Sequence, residues 1–406
     1  MLARAALAAL LAASPVAHAR VVSADPVDYT PHVLDGIVNA FALVGDTVIV
    51  GGSFTEVADA RRTVTLERDN IFAYSLSTGE ILPFAPELDG PVYALAAGAG
   101  GSVYVGGDFV TVNRTRGRSL VRLNTTDGAR LSSFNAQVYG GMVTALARRG
   151  SALYVGGDFT RLGRTAKDGL GRVNASTGVD DPHFAVAPGA PRTPKVKVYA
   201  LSATKDRLAV DGSFTTLDGL PRPQLGLIDI GGTTAKVADW HTDAYEPECM
   251  DSFPSYVRGL DFAPDGSYFA VVTTGGPNGN HKLCDTAARF ETYSRGDRIK
   301  PTWVNFTGGD SLYSVAVTGA AVYVGGHQRW MNNPYGSDDA GPGAVPREGI
   351  AAIHPTTGKA LSWNPGRERG IGVKAFLAHK GGLLTGSDTT RLGREYHARI
   401  GMFPLP

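Results

Sequence analysis

Residues 103–109 read VYVGGDF, a short apolar run that ends in two glycines, an acid and a phenylalanine. Related phrases recur along the chain, two of them degenerate, and together they make seven. They are VIVGGSF (48–54), VYVGGDF (103–109), LYVGGDF (153–159), LAVDGSF (208–214), AVVTTGG (270–276), VYVGGHQ (322–328) and LLTGSDT (383–389). Self-similarity of this kind indicates a repeat architecture.

An aromatic residue precedes each of these phrases. Tyr29 lies 22 residues before Gly51, as Phe84 does before Gly106, and five of the seven spacings have this value. The seven markers are Tyr29, Phe84, Phe134, Phe184, Trp240, Trp303 and Trp363. We expect them to pack between structural units of about 50–60 residues.

Each repeat predicts four short strands. In the second repeat these are PVYALAAG, SVYVGGDF, SLVRLNTTDG and ARLSSFN. Apolar and β-branched residues alternate, and turn residues separate the runs, which is typical of antiparallel strands. The period predicts an all-β fold, a seven-bladed β-propeller of four-stranded blades.

The opening phrase YTPHVLDG (29–36) resembles FAPELDG (84–90), which follows a predicted fourth strand. The last repeat ends in ARIGMFPLP (398–406), its third strand. We therefore predict that the N-terminal segment completes the last blade and closes the ring, which removes a free sheet edge. Residues 20–406 would then form a single propeller domain.

Residues 1–19, MLARAALAALLAASPVAHA, have the layout of a secretory signal peptide with cleavage after Ala19. The sequence thus predicts a secreted, extracellular protein without a membrane span. Loss of Arg4 with the leader leaves 38 basic and 38 acidic residues. This balance argues against a nucleic-acid partner, and we expect a monomer.

The two cysteines, Cys249 and Cys284, lie in two connections of the fifth repeat that should emerge on the same face. A disulfide between them is the favoured interpretation for an exported protein. Free thiols are the alternative.

Loops that are longer than the repeat pattern requires mark candidate binding sites, because the repeats themselves serve as the scaffold. The insertions fall in the connections from strand two to three and from strand four to the next strand one, which emerge on one face, the decorated face. Candidate binding residues in these loops are His327, Arg329, Trp330, Asn332, Asn333, Tyr335, His241, Asp243 and Tyr245. Arg258, in a predicted first strand, should line the axial channel. Trp330 belongs to no predicted repeat position, and it could instead anchor its own loop.

Aromatic rings beside amide and guanidinium donors suit sugar or peptide recognition. The favoured hypothesis is an extracellular binding module for a carbohydrate or protein ligand at the cell envelope. One alternative is a glycoside hydrolase or polysaccharide lyase whose acids include Asp338 and Asp339. Another is a structural component of an extracellular assembly. The sequence assigns no catalytic residue, metal ligand or cofactor, although calcium held by backbone carbonyls would leave no trace.

Several longer stretches are similar to a known family. They include VRGLDFAPDGSYFAVVTTGG (257–276), LCDTAARFET (283–292), VYVGGHQRWMNNPYG (322–336), LSWNPGRERGIGVKAFL (361–377) and GSDTTRLGREYHARIGMFPLP (386–406). With the VYVGGDF phrases, they make the chain resemble the delta-sixty repeat type of secreted actinobacterial β-propeller. The resemblance covers nearly the whole chain after the leader. It implies a secreted propeller and carries over no catalytic residues.

Overall fold

The computed structural model describes residues 17–406, whose regular structure consists of β-strands without a helix. No helix long and apolar enough to cross a bilayer occurs in this part of the chain. The predicted leader, residues 1–19, lies outside the described residues except for its last three. Among these, His18 is buried, and its Nε2 lies 2.8 Å from the carbonyl oxygen of His379.

The longer strands form seven antiparallel sheets, sheets 1 to 7, in chain order. In each sheet the second strand pairs with both the first and the third. The first strands are Ile37–Val44, Val92–Ala97, Val143–Arg149, Val198–Ala203, Val257–Phe262, Leu312–Val317 and Ala375–His379. The second strands are Thr47–Ser53, Ser102–Gly107, Ala152–Gly157, Arg207–Gly212, Tyr268–Thr273, Val322–Gly326 and Gly382–Gly386. The third strands are Ile71–Ser75, Leu120–Asn124, Leu170–Asn174, Leu225–Asp229, Thr286–Glu291, Ile350–Ile353 and Ile400–Pro404.

The fourth strands differ from the prediction. Only sheets 4 and 5 have one, Lys236–Val237 and Trp303–Phe306, among the described residues. In sheets 1, 2, 3 and 6 a single bridge, such as Leu123 to Arg130, takes its place. After that bridge in sheet 2 the chain turns back at once, and the backbone N–H of Phe134 donates to the carbonyl of Leu131. The turn brings the aromatic marker into the core and ends the pairing.

The aromatic markers pack between sheets, as predicted. Phe84, Phe134, Phe184 and Trp240 are at most 1% exposed. Phe134 stands edge-on to Tyr104 of sheet 2 at 5.2 Å between ring centres, while it belongs to an apolar cluster that continues into sheet 3. Such buried aromatic pairs stabilise the contact between sheets.

Paired glycines end the second strands because the next sheet lies directly against them. A Cβ on Gly106 would come within 2.6 Å of Cγ1 of Val143, in the first strand of sheet 3. By strand register, Val272 takes the place of Gly106 in sheet 5, and Gly386 takes it in sheet 7.

Each first strand contacts the first strand of the next sheet, and that of sheet 7 contacts that of sheet 1. The last of these contacts repeats the glycine packing, since a Cβ on Gly386 would lie 2.6 Å from Cγ1 of Val38. One apolar cluster joins Val38 to Leu384 and Met402 of sheet 7. These contacts place the seven first strands side by side.

The N-terminal segment lies along the third strand of sheet 7. Backbone N–H groups of Ser23 and Val27 donate to the carbonyls of Pro404 and Met402, at 2.7 and 2.9 Å. Trp363 donates from Nε1 to the carbonyl of Ser23 at 2.9 Å. The segment forms no regular strand with sheet 7 in the described residues, so it satisfies the edge through isolated hydrogen bonds.

The recurrence of the Leu-Asp-Gly phrase has a structural cause. Asp35 Oδ1 accepts hydrogen bonds from the backbone N–H groups of Thr55 and Glu56, and Asp89 does the same for residues 110 and 111 of the next repeat. Gly36 has φ of 62°, and a Cβ there would lie 1.8 Å from the carbonyl oxygen of Ser53. The phrase thus fixes how the chain enters the first strands of sheets 1 and 2.

Short strands decorate the connections between second and third strands, which the repeat pattern did not predict. In six sheets these connections form hairpins, whose strands are Glu56–Ala58 with Thr65–Glu67, Thr111–Val112 with Thr115–Arg116, Arg161–Leu162 with Thr165–Ala166, Thr216–Leu217 with Leu220–Pro221, Trp330–Met331 with Val345–Pro346, and Arg391–Leu392 with Glu395–Tyr396. Three further short strands, His32–Val33, Val138–Tyr139 and Pro188–Gly189, pair with hairpins of this kind.

In sheet 5 the corresponding connection carries a disulfide instead. Cys249 and Cys284 are bonded, with 5.9 Å between their Cα atoms, which confirms the predicted pairing. Both cysteines are buried, and they close a sequence separation of 35 residues. In the chain-entropy account a loop of this size stabilises the folded state by about 3–4 kcal/mol.

Candidate functional site

Six of the seven first strands carry a β-bulge at the same position near their start. In sheet 2 the pairing passes from Val92 to Ala94 and skips Tyr93, and the same β-bulge recurs in sheets 1, 3, 4, 5 and 6. In sheet 7 pairing begins at Ala375, directly after Lys374. Bulges redirect side chains at sheet ends. The seven residues at this position, here called the bulge ring, are Asn39, Tyr93, Thr144, Tyr199, Arg258, Tyr313 and Lys374.

The bulge ring lines a central cavity of about 590 Å³ to which all seven first strands contribute. All seven side chains are half-buried. Since first strands begin where second strands end, as Val92 opposite Gly107 shows, the ring lies at the decorated face. The volume is within the range of about 300–1,000 Å³ typical of small-molecule sites.

Three cations line this cavity, Lys197, Arg258 and Lys374, and its described lining contains no carboxylate. Nζ of Lys374 lies 3.2 Å from the centre of the Tyr313 ring, and Cζ of Arg258 lies 4.6 Å from that of Tyr199. Cations over aromatic faces gain stabilisation from the ring quadrupole. The cavity therefore presents positive charge on aromatic supports.

Burial determines the protonation states of Lys374 and Tyr313. Desolvation, together with the positive charge of Arg258, lowers the pKa of Lys374 to about 8, and the charge of Asp388 partly opposes this shift. Desolvation also raises the pKa of Tyr313, so its phenol stays neutral. Lys374 is consequently a cation at neutral pH whose charge responds to its surroundings.

His327 is the predicted loop residue that reaches the ring. Its imidazole stands edge-on to Tyr313 at 5.7 Å, and its Nε2 accepts a hydrogen bond from the backbone N–H of Ser311 at 3.2 Å. Burial and the charge of Arg369 lower the pKa of His327. The structure thus brings two residues predicted from the sequence, His327 and Arg258, to the opening of the same cavity.

Arg329 is committed to an ion-pair network. Its guanidinium donates twice to Asp310, at 2.8 and 3.0 Å, and once to Asp338 at 3.2 Å. Arg369 donates to the same Asp310, whose side chain is 1% exposed. These contacts organise the loops of sheets 6 and 7 around a buried carboxylate.

Trp330 occupies a repeat position, which corrects the prediction. It starts the strand Trp330–Met331, equivalent to Thr111–Val112 in sheet 2, and the Arg329 guanidinium lies 4.4 Å from its ring centre. Trp330 is half-buried, whereas Tyr335 is 67% exposed. Of the predicted aromatic pair, Tyr335 has the surface accessible to a partner.

The two asparagines of this loop are structural. Asn333 is completely buried, donates to the carbonyls of Thr307 and Asp339, and accepts from the N–H of Gly341. Asn332 exchanges hydrogen bonds with Asn305 through backbone and side chain at 2.7 Å. Their amides fasten the loop to sheet 5, and Asn333 has no surface left for a ligand, whereas Asn332 is half-buried.

The other predicted loop does not reach the bulge ring. His241 pairs through its backbone with Gly296 and Ile299, and Asp243 forms an ion pair with Lys300 at 2.7 Å. These partners lie between the third and fourth strands of sheet 5, a connection at the opposite end of the strands. His241 and Asp243 therefore lie away from the decorated face.

Tyr245 is a core residue rather than a binding residue. It is 0% exposed and packs against Tyr256 and Phe290, with ring centres 6.2 and 6.0 Å away. The tyrosine follows a run of polar residues, which made the loop look solvated. Burial of this side chain anchors the loop that carries Cys249.

One group of side chains has the composition of a metal site. Asp28, Glu395 and His397 each offer a ligand atom, and these atoms lie within 4.8 Å of one another. Both carboxylates are exposed, and His397 already contacts Thr30 at 3.4 Å through Nδ1. A bound ion would link the N-terminal segment to the last hairpin.

No family model and no curated protein matches the chain. Solved structures resemble it over most of its length at low identity. The computationally designed Ika8 protein is 13% identical, with a TM-score of 0.49, and the match covers 95% of this chain and all of that one. The WD40 β-propeller domain of Doa1 is 10% identical with a TM-score of 0.47, covering 95% and 97%. The extracellular domain of BT4673 from B. thetaiotaomicron is 14% identical with a TM-score of 0.48, covering 93% of this chain and 39% of that one. Likenesses this distant carry no information about ligand or activity.

Of the bulge ring, the sequence singled out only Arg258. A usable signal exists in the phrases VNAFA, VYALA, VTALA, VYALS, VRGLD, LYSVA and VKAFL, which start at residues 38, 92, 143, 198, 257, 312 and 373. The first and third residues hardly vary, while the second, the ring position, varies in charge and size. A variable position inside a repeated phrase indicates that packing does not fix its residue type.

Proposed function

We propose that this protein is an exported binding module that holds a carbohydrate in the mouth of its central cavity. The observation that carries the proposal is the bulge ring, in which three tyrosines alternate with hydrogen-bond donors around about 590 Å³ of space. Tyrosine faces stack on sugar rings, and polar groups at the rim fix their orientation. A protein ligand on the same face is the alternative.

The scaffold in this proposal is a seven-bladed propeller closed by its N-terminal segment. Support comes from the contact between sheets 7 and 1, through Gly386 and Val38, and from the hydrogen bonds of Ser23 and Val27 to the last strand. A closed ring holds the seven ring residues at fixed separations. That rigidity favours binding, since little ordering is required of the protein.

Export is supported by the disulfide, because such bonds persist in oxidising compartments. The predicted cleavage after Ala19 gives a direct test. N-terminal sequencing of the protein recovered from culture medium should begin at Arg20. Retention of the full chain inside cells would contradict export.

Binding is tested with the purified protein on an array of glycans and cell-wall fractions. Tyr199→Ala removes a ring tyrosine, and Tyr293→Ala removes a tyrosine that is 46% exposed in the connection after the third strand of sheet 5. We expect the first substitution to lower affinity by about tenfold, as loss of a stacked aromatic ring does, and the second to leave it unchanged.

Two further outcomes separate the alternatives. Loss of binding in Trp330→Ala but not in Tyr199→Ala would move the site from the ring to the loops of sheet 6. Release of shortened sugars during the assay would indicate an enzyme. Absence of glycan binding by the unmodified protein would contradict the proposal.

A further inference from the structure

We infer that the bulge ring takes an anionic group of a carbohydrate, held by Arg258 and Lys374 beside the faces of Tyr199 and Tyr313. The inference rests on the proposed function, because it names the ligand class of the same cavity. Uronic acids and sulfated sugars share this chemistry, a planar or tetrahedral anion on a sugar ring.

The first support is the contrast between paired and unpaired charges. Around the mouth, Asp310 is paired with Arg329 and Arg369, Asp388 with Arg367, and Asp158 with Lys195. Within residues 17–406, by contrast, Lys197, Arg258 and Lys374 form no ion pair with a carboxylate. The fold thus pairs the surrounding charges and leaves those that line the cavity without a direct ion-pair partner.

The second support is the placement of these cations. Arg258 donates to the carbonyls of Ser255 and Val257, which holds its guanidinium over Tyr199. Lys374 lies over Tyr313 within the half-buried rim. A half-buried cation without a counter-charge is costly, and an anion that enters the cavity relieves this cost.

The third support is the mutual effect of the charges. Arg258 lowers the pKa of Lys374, which places the two cations near enough to repel each other. An anion between them would remove the repulsion and gain charge-assisted hydrogen bonds from both. Arginine also presents a planar fork that matches carboxylate and sulfate oxygens.

The groups that face Lys374 determine how binding responds to pH. They are Arg258, Tyr313, Asp388 and His327. Lys374 carries its charge below a pKa of about 8 and loses it above. Affinity for an anion should therefore fall as pH rises through this value, whereas a neutral sugar should bind equally on both sides of it.

The experiment compares oligogalacturonates with the same oligomers after reduction of their carboxyl groups, by calorimetry at pH 7 and pH 9. A sulfated oligosaccharide forms a third arm. The variants are Lys374→Met and Arg258→Gln, and Lys380→Met serves as the matched control because Lys380 is exposed outside the cavity. Thermal unfolding of each variant shows whether it remains folded.

We expect the acidic oligomer to bind at least about tenfold more tightly than its reduced form at pH 7, and each ring substitution to remove about tenfold in affinity. Lys380→Met should change nothing, and Lys374→Met should abolish the difference between pH 7 and pH 9. Tight binding confined to the sulfated arm would support the inference with sulfate as the anion.

Two results would overturn it. Equal affinity for acidic and reduced oligomers, unchanged by Lys374→Met, would leave a carbohydrate site without anion preference, and the proposed function would stand. If the unmodified protein binds none of the three oligomers and nothing on the wider glycan array, both the anion preference and the proposed carbohydrate binding are contradicted.

Discussion

At the scale of single residues, one repeat places an ionisable side chain in the core at a position where other repeats have glycine. Asp211 stands where sheets 1, 2 and 3 have glycine, and its side chain is completely buried. Oδ1 accepts from the backbone N–H of Ala200 at 2.8 Å, while Oδ2 has no hydrogen-bond partner in the described structure. Burial raises the pKa of Asp211 to about 7.

This pKa predicts a pH-dependent stability. The unfolded chain releases the proton near pH 4, and the folded chain retains it to about pH 7. The contribution of Asp211 to the free energy of unfolding therefore declines between these values and stays low above pH 7. Asp211→Asn keeps the acceptor without titrating, so it should stabilise the protein at pH 8 by roughly 3 kcal/mol and much less at pH 4.

Denaturant unfolding at pH 4.5 and pH 8 measures this difference, with Asp69→Asn as the control at an exposed aspartate. A stability gain of the same size at both pH values would show that Asp211 does not titrate in this range.

Asp310 offers a second prediction at this scale. It is buried between Arg329 and Arg369, whereas Asp338 contacts the same Arg329 with 59% of its side chain exposed. Asp310→Ala leaves two guanidinium groups without their shared carboxylate and should lower the unfolding free energy by about 3 kcal/mol or more. Asp338→Ala should lower it by less than about 1 kcal/mol. Equal losses would contradict the assigned network.

At the scale of elements, the sheets depend on close backbone approach. Gly106→Ala places a methyl group against Val143 and should lower the unfolding free energy by about 2 kcal/mol. Val143→Ala removes the obstructing Cγ1 atom at the cost of a small cavity. In a double-mutant cycle, we expect the loss of unfolding free energy in the double variant to be about 1 kcal/mol smaller than the sum of the two single losses. Strict additivity would show that the two residues do not meet.

The sequence predicted the strands and the contacts between sheets well where packing requires one particular residue type. Gly106 and Phe134 recur because a sheet contact demands a small residue and an aromatic one, and such demands leave a period. It failed where polar residues serve the interior, since Asn333 and Tyr245 look solvated and are completely buried. It also missed most of the bulge ring, because the identity of those residues is not constrained by packing.

At the scale of the whole molecule, both ends of the described chain meet at sheet 7. Val22 is 3% exposed, and Ser23 and Val27 bond to the last strand. Removal of residues 20–28 exposes this strand and its apolar contacts. We expect a loss of about 3 kcal/mol or more in unfolding free energy and a tendency to associate through the free edge.

Thermal unfolding and light scattering of the shortened chain measure these two effects. Trp363→Phe is a milder companion, because it keeps an aromatic ring in the core and removes the hydrogen bond from the indole to Ser23. A shortened chain as stable and monodisperse as the original would indicate that the stability of the fold does not depend on the N-terminal segment.

The bulge ring has a consequence for how such a protein changes over evolutionary time. Its side chains stand on backbone whose geometry is held by buried neighbours such as Val92, which does not line the cavity. Two ring residues, Asn39 and Thr144, also donate to backbone carbonyls of the next sheet, so substitutions there affect the contact between sheets. At the remaining ring positions a substitution changes the lining of the cavity while the strands that carry it keep their contacts, so a new lining needs no new scaffold.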